Sequence, residues 1–186
     1  KPNDGNHGRG ITTCVNSHDD AIKAFRIAKK ISDEVIMEKH IEGSDYRFLL
    51  INYKLVAISK RLPAMVTGDG VSSVQKLIDN INKDPNRGLH HEKILTRITV
   101  DENTMDILNR KNLTLDSVIP EGQNLSLKDT ANLSSGGTAI DVTCVHPYNI
   151  ALAERIARLI ELNICGLDII AEDISVPINE NNGALL

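Results

Sequence analysis

The sequence has 186 residues, of which 41% are hydrophobic and 25% are charged, as is usual for a soluble globular protein of one domain or slightly more. The formal net charge of −4 argues against a general nucleic-acid binder, which needs a basic surface. The three cysteines are widely spaced without a C-x-x-C motif, and no apolar run is long enough to span a membrane. Reduced thiols and a cytoplasmic location are therefore expected.

The chain opens with KPNDGNHGRG, in which Lys1 and Arg9 accompany three glycines. Glycines let backbone N–H groups approach a ligand, and the two cations supply positive charge, so the segment is a candidate anion site. An ordinary flexible loop or a frayed chain end fits these ten residues equally well. Because the chain lacks an initial Met and ends on apolar residues, we expect it to be cut from a longer protein.

Apolar periodicity and capping residues predict a mixture of helices and strands along the chain. In order, we predict a strand over 11–15, a helix from Ser17 to Ile31, a strand over 34–41, a hairpin of strands 47–52 and 55–61, a turn at 67–70, a helix over 74–81 capped by Ser72 or Ser73, a loop over 84–88, a short helix after Asp101, a strand over 124–128, a helix over 149–161 and a buried strand over 164–171. Strands and helices do not alternate strictly, which favours an α+β fold over a doubly wound sheet.

Four further features carry residue types suited to ligand binding. They are the segment from Glu38 to Asp45, the pair Arg47 and Arg61, the loop from Ala131 to Gly137, and Asp168. Each has an ordinary explanation, since carboxylates beside a glycine turn are usually solvated, strand arginines usually lie at the surface, and a glycine loop is often only a loop. An acid on a buried strand is costly unless it is paired or metal-bound, although Asp168 faces water if the strand alternates.

The order of the motifs along the chain resembles that of the ATP-grasp ligases. In sequence, the shared stretches are KP with a glycine-rich loop, EKHIEGSDYR, RLPAMVTGDG, NKDPNRG, ANLSSGGTAIDVT and CGLDII. Within that superfamily the cyanophycin synthetases are the most similar, through DGNHGRG, AIDVT and VHPYN, and the fused bacterial glutathione synthetases are the nearest alternative. The resemblance covers essentially the whole chain.

The resemblance implies an ATP-grasp fold truncated at both ends. Residues 1–41 would be the remainder of the central, lid-bearing subdomain, and residues 42–186 most of the C-terminal subdomain, without its final E-x-N segment. That segment supplies further magnesium ligands in the family, and a hard cation needs several oxygen ligands. The chain by itself is therefore expected to be a poor catalyst or none.

The resemblance also implies which residues bind ATP and Mg²⁺. Lys1 is the phosphate lysine, and the flexible lid consists of His7, Gly8, Arg9 and Gly10. The adenine is held through the main chain of Glu38, Lys39, His40 and Ile41, and Asp45 accepts the ribose hydroxyls. The loop beside the transferred phosphoryl group contains Ser134, Ser135, Gly136 and Gly137, and Asp168 is the first magnesium ligand.

The implied reaction is the ATP-dependent formation of an amide through an acyl phosphate. Arg47, Arg61 and Lys128 would face the acyl phosphate or the acceptor, beside Asn132. The substrates would be ATP, L-aspartate and an acidic peptide primer whose poly-aspartate backbone is extended, with no nucleic acid or membrane involved and a homo-oligomeric parent. Glutathione synthesis and nucleotide binding without activity remain the alternatives.

Overall fold

The computed structural model describes residues 1–4, 10–13, 15–89 and 92–186. In chain order the elements are α1 (His18–Lys29), β1 (Ser44–Ile51), β2 (Lys54–Leu62), β3 (Met65–Thr67), α2 (Val74–Ile81), β4 (Arg87–Gly88), β5 (Leu95–Thr96), α3 (Glu102–Arg110), β6 (Asn124–Ser126), the 3-10 helix η1 (Leu133–Ser135), β7 (Thr138–Asp141), α4 (Pro147–Leu159), β8 (Ile164–Ala171) and β9 (Gly183–Leu185). Helices combined with antiparallel strand pairs confirm the α+β class. None of the helices in these ranges is both long and apolar enough to cross a membrane.

The chain divides into two compact units, and each unit combines segments that are separate in sequence. The first unit comprises residues 1–40 and 63–136, and the second comprises residues 41–62 and 137–186. The break after residue 40 falls one residue from the subdomain boundary predicted after residue 41. Residues 63–136 thus make their contacts mainly with the N-terminal segment. The assignment of residues 42–186 to one subdomain of the family stays a prediction.

A five-stranded sheet in the order β7-β2-β1-β8-β9, antiparallel throughout, forms the framework of the second unit. β1 and β2 are joined by a tight turn in which Asn52 and Tyr53 have φ angles of 52° and 61°. Two successive positive φ angles match the right-handed twist of a hairpin, and asparagine tolerates them well. The predicted hairpin and the predicted strand over 164–171 are both confirmed.

One face of this sheet is apolar and is covered by α4. Its core residues are Tyr46, Phe48 and Leu50 of β1, Leu167 and Ile169 of β8, and Ala153 and Ala157 of α4. The two alanines lie one helical turn apart, and their small side chains let the helix axis approach the sheet closely. Because side chains alternate along a strand, the intervening residues of β1 and β8 point to the opposite face.

The first unit has a separate core built from α2, α3, β3 and β6. Its most deeply buried residues are Val66, Val74, Ile78, Leu108 and Leu127. Side chains cap the helices at their predicted starts: Ser73 Oγ accepts from Lys76 N over 3.3 Å, and Asp101 Oδ1 accepts from Thr104 N over 3.0 Å. Such caps satisfy backbone donors that the first helical turn leaves unpaired.

Three of the predicted strands differ from the structure. The described residues of 11–15 have no regular secondary structure, and residues 34–41 contribute a single bridge, from Val35 to Pro2. The strand predicted over 124–128 ends at Ser126. A run of β-branched residues forms a strand only where a neighbouring strand accepts its hydrogen bonds, so local composition overestimates strand length.

Candidate functional site

Four charged side chains lie close together on the face of the sheet opposite α4. Asp45 and Arg47 belong to β1, Arg61 to β2 and Asp168 to β8, and we call these four residues the charged cluster. The strand register pairs Asp45 with Arg61 and Arg47 with Asp168. Opposite charges directly across an antiparallel pair stabilise the pairing, so the sheet register and the cluster support each other.

Arg61 connects the two aspartates of the charged cluster. Its Nε donates to Asp45 Oδ1 over 2.7 Å, and its Nη2 lies 2.6 Å from Asp45 Oδ1 and 3.1 Å from Asp168 Oδ1. Only 12% of the Arg61 side chain is exposed. A guanidinium held between two carboxylates keeps one orientation, because turning away would cost charge-assisted contacts to both.

Arg47 is the more accessible cation, with 42% of its side chain exposed. Its Nε lies 2.8 Å from Asp168 Oδ1, and its Nη1 donates to the Gly166 carbonyl over 3.2 Å. Asp168 Oδ1 is buried, and although two guanidinium groups lie within ion-pair distance, no donor in the described ranges is aligned for a hydrogen bond to it. The two guanidinium groups thus cover this oxygen, and because the Asp168 side chain as a whole is 30% exposed, Oδ2 is the carboxylate oxygen left for a further ligand.

Asp45 has an unusual electrostatic environment. Burial raises the pKa of its carboxyl, and this effect, with a contribution from Asp168, outweighs the lowering by the hydrogen bond and charge of Arg61. Because the pKa of Asp45 is higher in the folded than in the unfolded protein, its ionised carboxylate lowers the free energy of unfolding at neutral pH. The stabilisation by the protonated carboxyl is fully present below the unfolded-state pKa and is lost as the pH rises through the folded-state pKa. A ligand that donates hydrogen bonds to Asp45 would offset this cost.

Gly166 on β8 makes room for Arg47. A methyl group added at Gly166 would overlap Arg47 Nη1 and lie 2.9 Å from its Cδ and 3.3 Å from its Cζ. The three atoms nearest to the added group therefore all belong to Arg47. The glycine lets the arginine lie across the strand and reach the Gly166 carbonyl.

Replacing Gly166 by alanine is expected to lower the free energy of unfolding by about 0.5–1.5 kcal/mol, because the added methyl group forces the accessible Arg47 side chain out of its rotamer. In an Arg47→Ala background the same change should cost clearly less, since the clashing atoms are gone. Urea unfolding of the two single variants and the double variant measures this coupling. An equal cost in both backgrounds would assign the clash to the backbone instead.

Lys1 and Glu38, both expected at the nucleotide, are paired with each other in the first unit. Lys1 Nζ lies 2.7 Å from Glu38 Oε2. The Lys1 backbone nitrogen donates to the Ile36 carbonyl over 2.8 Å, next to the bridge between Pro2 and Val35. The first two residues thus run alongside residues 35–38, which brings the opening segment to the start of the segment expected to hold the adenine, residues 38–41.

The other described residues of these two segments have no regular secondary structure. Outside the described residues lie three of the lid positions, His7, Gly8 and Arg9. Gly10 has a φ of 71°, in the left-handed region that favours glycine. Lys39 and His40 are exposed and belong to the first unit, whereas Ile41 belongs to the second.

The second glycine loop is a tight turn of the first unit. Leu133–Ser135 form η1, and Gly136 ends it in the left-handed conformation with a φ of 93°. Asn132 Nδ2 donates to Thr130 Oγ1 over 3.3 Å at the start of the turn, and Gly137 is the first residue of the next segment of the second unit. One short turn therefore contains the predicted residues Asn132, Ser134, Ser135 and Gly136.

Lys128 is buried in a local network rather than exposed, with only 5% of its side chain accessible. Its Nζ lies 2.6 Å from Asp101 Oδ2 and donates to Thr104 Oγ1 over 3.0 Å. Burial acts to raise the pKa of Asp101, but the contacts with Lys128 and Thr104 outweigh it and lower the pKa. Lys128 thus neutralises the acid that caps α3, and its predicted contact with a substrate stays a prediction.

Two motif residues to which the sequence analysis assigns no role organise loops in the structure. Arg87, in the NKDPNRG motif, donates to the Gly136 carbonyl. Asn149, in the VHPYN motif, bonds to backbone groups of Ile174, Val176 and Ile178. Their place in the motifs was the only signal available, because the burial of a polar side chain depends on segments distant in sequence.

The chain is similar to several known proteins, although no profile of a protein family matches it. It is 49% identical to the cyanophycin synthetase of Synechocystis sp. and 46% identical to that of Trichormus variabilis, in each case over the whole chain and over 22% and 21% of the relative. It is 37% identical, over 91% of the chain and 22% of the relative, to the bifunctional glutathione biosynthesis protein GshAB of Listeria welshimeri. The chain thus spans about a fifth of the length of these curated relatives.

Among solved structures, a bifunctional glutathione synthetase from Pasteurella multocida matches the chain with a TM-score of 0.70 and 32% sequence identity. The match covers all of this chain and 26% of that protein. At this identity and coverage the similarity extends to the arrangement of the elements along the whole chain.

Proposed function

Because this chain belongs to the ATP-grasp family, as a segment homologous to the cyanophycin synthetases, we propose that it is part of an ATP-dependent carboxylate–amine ligase. Enzymes of this family generally use ATP and Mg²⁺ and act on small-molecule substrates. By this proposal the ligase adds L-aspartate to the C-terminal carboxylate of a poly-aspartate backbone in the cytoplasm. The acidic primer and a homo-oligomeric assembly are part of the same proposal.

The charged cluster is the observation that carries the proposal. Three strands bring together two carboxylates and two guanidinium groups, so the charged cluster has groups that can bind a cation and groups that can bind an anion. Phosphoryl transfer requires mainly positioning and charge neutralisation, with little covalent chemistry by the protein. Preorganised charges of both signs on a rigid sheet are suited to that task.

The nucleotide would be bound by the segments that the family pattern indicates. Lys1 and the lid of His7, Gly8, Arg9 and Gly10 would contact the phosphates, and the main chain of residues 38–41 would hold the adenine. The pairing of Lys1 with Glu38 supports this assignment, because one bound nucleotide could then contact both segments. Asp45 would accept the ribose hydroxyls, whose donors offset the cost of its ionised carboxylate.

The donor set fits magnesium that arrives with the nucleotide. In the described ranges no three acidic, histidine or cysteine side chains form a group that could hold a metal. Mg²⁺ usually takes one or two protein carboxylates and completes its coordination with water and substrate phosphates. Asp168, whose side chain is 30% exposed although its Oδ1 is covered by Arg47 and Arg61, would supply one such carboxylate through Oδ2. The bound ion would neutralise charge on the phosphates.

The proposed reaction has two steps. An oxygen of the substrate carboxylate attacks the γ-phosphorus of ATP, the bond to the bridging oxygen breaks, and ADP leaves, which produces an acyl phosphate. The amine then attacks the acyl carbon, phosphate leaves with the electron pair of the C–O bond, and the amine loses a proton to form the amide. Holding the reactants in position accounts for much of the acceleration expected of such a site.

The residues of this chain would position the groups that carry negative charge. Arg47 is accessible and is held by Asp168 and the Gly166 carbonyl, so it would contact the acyl phosphate or the acceptor. Arg61 is more deeply buried and would mainly hold the two aspartates in place. Asn132 and the η1 turn would lie beside the transferred phosphoryl group.

The natural protein that contains these 186 residues provides the test of this function. With ATP, Mg²⁺, L-aspartate and a poly-aspartate primer, we expect phosphate release that depends on both the primer and L-aspartate. Mass spectrometry should show the primer longer by one residue. No phosphate release with this pair of substrates would contradict the proposal.

Glutathione synthesis is the second candidate, because GshAB proteins and a glutathione synthetase structure are also similar to the chain. Phosphate release with γ-glutamylcysteine and glycine, and none with the primer, would support it. Binding of ATP without release under either condition would support a nucleotide-binding role without catalysis.

A further inference from the structure

We propose that Arg87 is a positioning residue that fixes the peptide between Gly136 and Gly137. This inference rests on the proposed function, in which that loop lies beside the transferred phosphoryl group. Arg87 belongs to the NKDPNRG motif, residues 82–88, and lies far from the loop in sequence. All the contacts that support the inference lie within the first unit.

The NKDPNRG motif fixes the backbone segment against which the loop packs. Asn82 Nδ2 donates to the Ile98 carbonyl over 2.8 Å, and Asn82 Oδ1 accepts from Ile98 N over 2.8 Å. Asp84 closes a turn, since its Oδ1 accepts from Asn86 N and its carbonyl accepts from Arg87 N, both over 2.9 Å. The motif therefore holds Ile98 at one end and directs Arg87 at the other.

Arg87 connects this segment to the loop through two carbonyl groups. Its Nη1 donates to the Thr96 carbonyl over 2.6 Å and to the Gly136 carbonyl over 2.9 Å, and only 8% of the residue is exposed. Burial lowers the pKa of the guanidinium, and the charge of Asp84 acts against that effect. A cation is costly to bury, so its contacts with the two carbonyls must be well formed.

The backbone conformation of Gly136 and its close approach to Ile98 fix the path of the loop at this contact. Its φ of 93° favours glycine, and an added Cβ would lie 2.9 Å from Ile98 Cα and 3.1 Å from Ile98 N. The described part of the chain contains no cis peptide bond. In a planar trans peptide the C=O and the N–H point in opposite directions, so holding the Gly136 carbonyl toward Arg87 fixes the Gly137 N–H in the opposite direction. Oriented backbone N–H groups of this kind bind phosphoryl oxygens.

The test is Arg87→Lys in the natural protein that contains this chain, because lysine keeps the charge but is shorter and lacks the rigid planar guanidinium whose Nη1 reaches both carbonyls. We expect kcat for primer-dependent phosphate release to fall about 100-fold, as misplacement by about 1 Å typically causes, with the KM for ATP changed less than about threefold. Amide hydrogen exchange at Gly136, whose N–H donates to the Leu133 carbonyl over 3.1 Å, should accelerate at least about 10-fold. Arg110→Lys is the matched control, because Arg110 is an exposed arginine paired with Asp129, and it should leave all three quantities unchanged.

Accelerated exchange with an unchanged kcat would overturn the inference, as would unchanged exchange at Gly136. A lower unfolding free energy with the wild-type kcat would show a purely structural residue and overturn it as well. If the wild-type protein releases no phosphate, the proposed function fails, and the exchange at Gly136 still decides whether Arg87 holds the turn. If Arg87→Lys does not fold, nitrogen-15 NMR spectra of the wild-type protein provide the measurement. We expect the rotation of the Arg87 guanidinium to be slowed by its two hydrogen bonds, and free rotation would contradict the contact.

Discussion

Replacing Asn149 by leucine is expected to lower the free energy of unfolding by about 2–6 kcal/mol. The buried Ile178 N–H loses its partner, at about 1–3 kcal/mol, and two hydrogen bonds to carbonyls are lost, at about 0.5–1.5 kcal/mol each. The Ile174 carbonyl still accepts from His146 N over 2.8 Å. Asn149 is 1% exposed. Its Nδ2 donates to the carbonyls of Ile174 and Val176 over 2.9 and 2.8 Å, and its Oδ1 accepts from Ile178 N over 2.8 Å. Leucine has the same number of side-chain heavy atoms with the same branching at Cγ, so the change removes hydrogen bonds without opening a cavity.

Asn149→Asp provides a second arm of this experiment. The aspartate still accepts from Ile178 N but faces two carbonyls without a proton to donate, so a comparable loss of stability is expected at neutral pH. Asn109→Leu, at an exposed position in the last turn of α3, should stay within about 0.5 kcal/mol of the wild type. Urea unfolding followed by circular dichroism measures all three variants. A cost below about 1 kcal/mol for Asn149→Leu would mean that water replaces the lost contacts.

Replacing Asp168 by asparagine is expected to have opposite effects on ATP binding with and without magnesium. With Mg²⁺, the affinity for a non-hydrolysable ATP analogue should fall about 100-fold, which corresponds to about 2.7 kcal/mol, because a carboxylate ligand is lost. Without Mg²⁺, the affinity should stay constant or rise, since Arg47 and Arg61 lose a neutralising charge and attract phosphate more strongly. Calorimetric titration under the two conditions separates these effects.

Asp141→Asn is the matched control for this change. Asp141 lies on β7 opposite Ser59, which is itself opposite Arg47, so it shares the face of the charged cluster while its side chain is exposed. Its replacement removes the same charge from the same face and should leave the magnesium dependence intact. Equal losses for Asp168→Asn with and without Mg²⁺ would identify Asp168 as a support for the two arginines, and not as a metal ligand.

Local features were largely predictable from the sequence. Ser73 and Asp101 mark helix starts because a side-chain acceptor beside an apolar repeat serves the nearest backbone donors. The β1–β2 hairpin follows from two largely apolar runs around a short turn. The strand predicted over 34–41 was wrong for a related reason: its residues suit a strand, but only Val35 has a bridge partner.

The chemistry of the site was only partly predictable. The sequence shows that Asp168 is an acid within an apolar strand and therefore needs a partner, but not that the partners are Arg47 and Arg61. Lys128 stands beside a polar loop in the sequence, yet the structure buries it against Asp101. The roles of Arg87 and Asn149 depend on carbonyl groups in other segments, which no local pattern specifies.

By itself the sequence determined the class of fold, the helix caps, the hairpin and the order of the motifs, because each of these depends on residues that are neighbours in the chain. Only the tertiary structure decided which charges meet, which lysine is buried and which arginine holds the Gly136 peptide. The physical reason is that ion pairs and buried hydrogen bonds depend on the register between strands and the packing of separate segments. Those are set by the burial of the whole apolar face at once, a property that no short stretch of sequence contains.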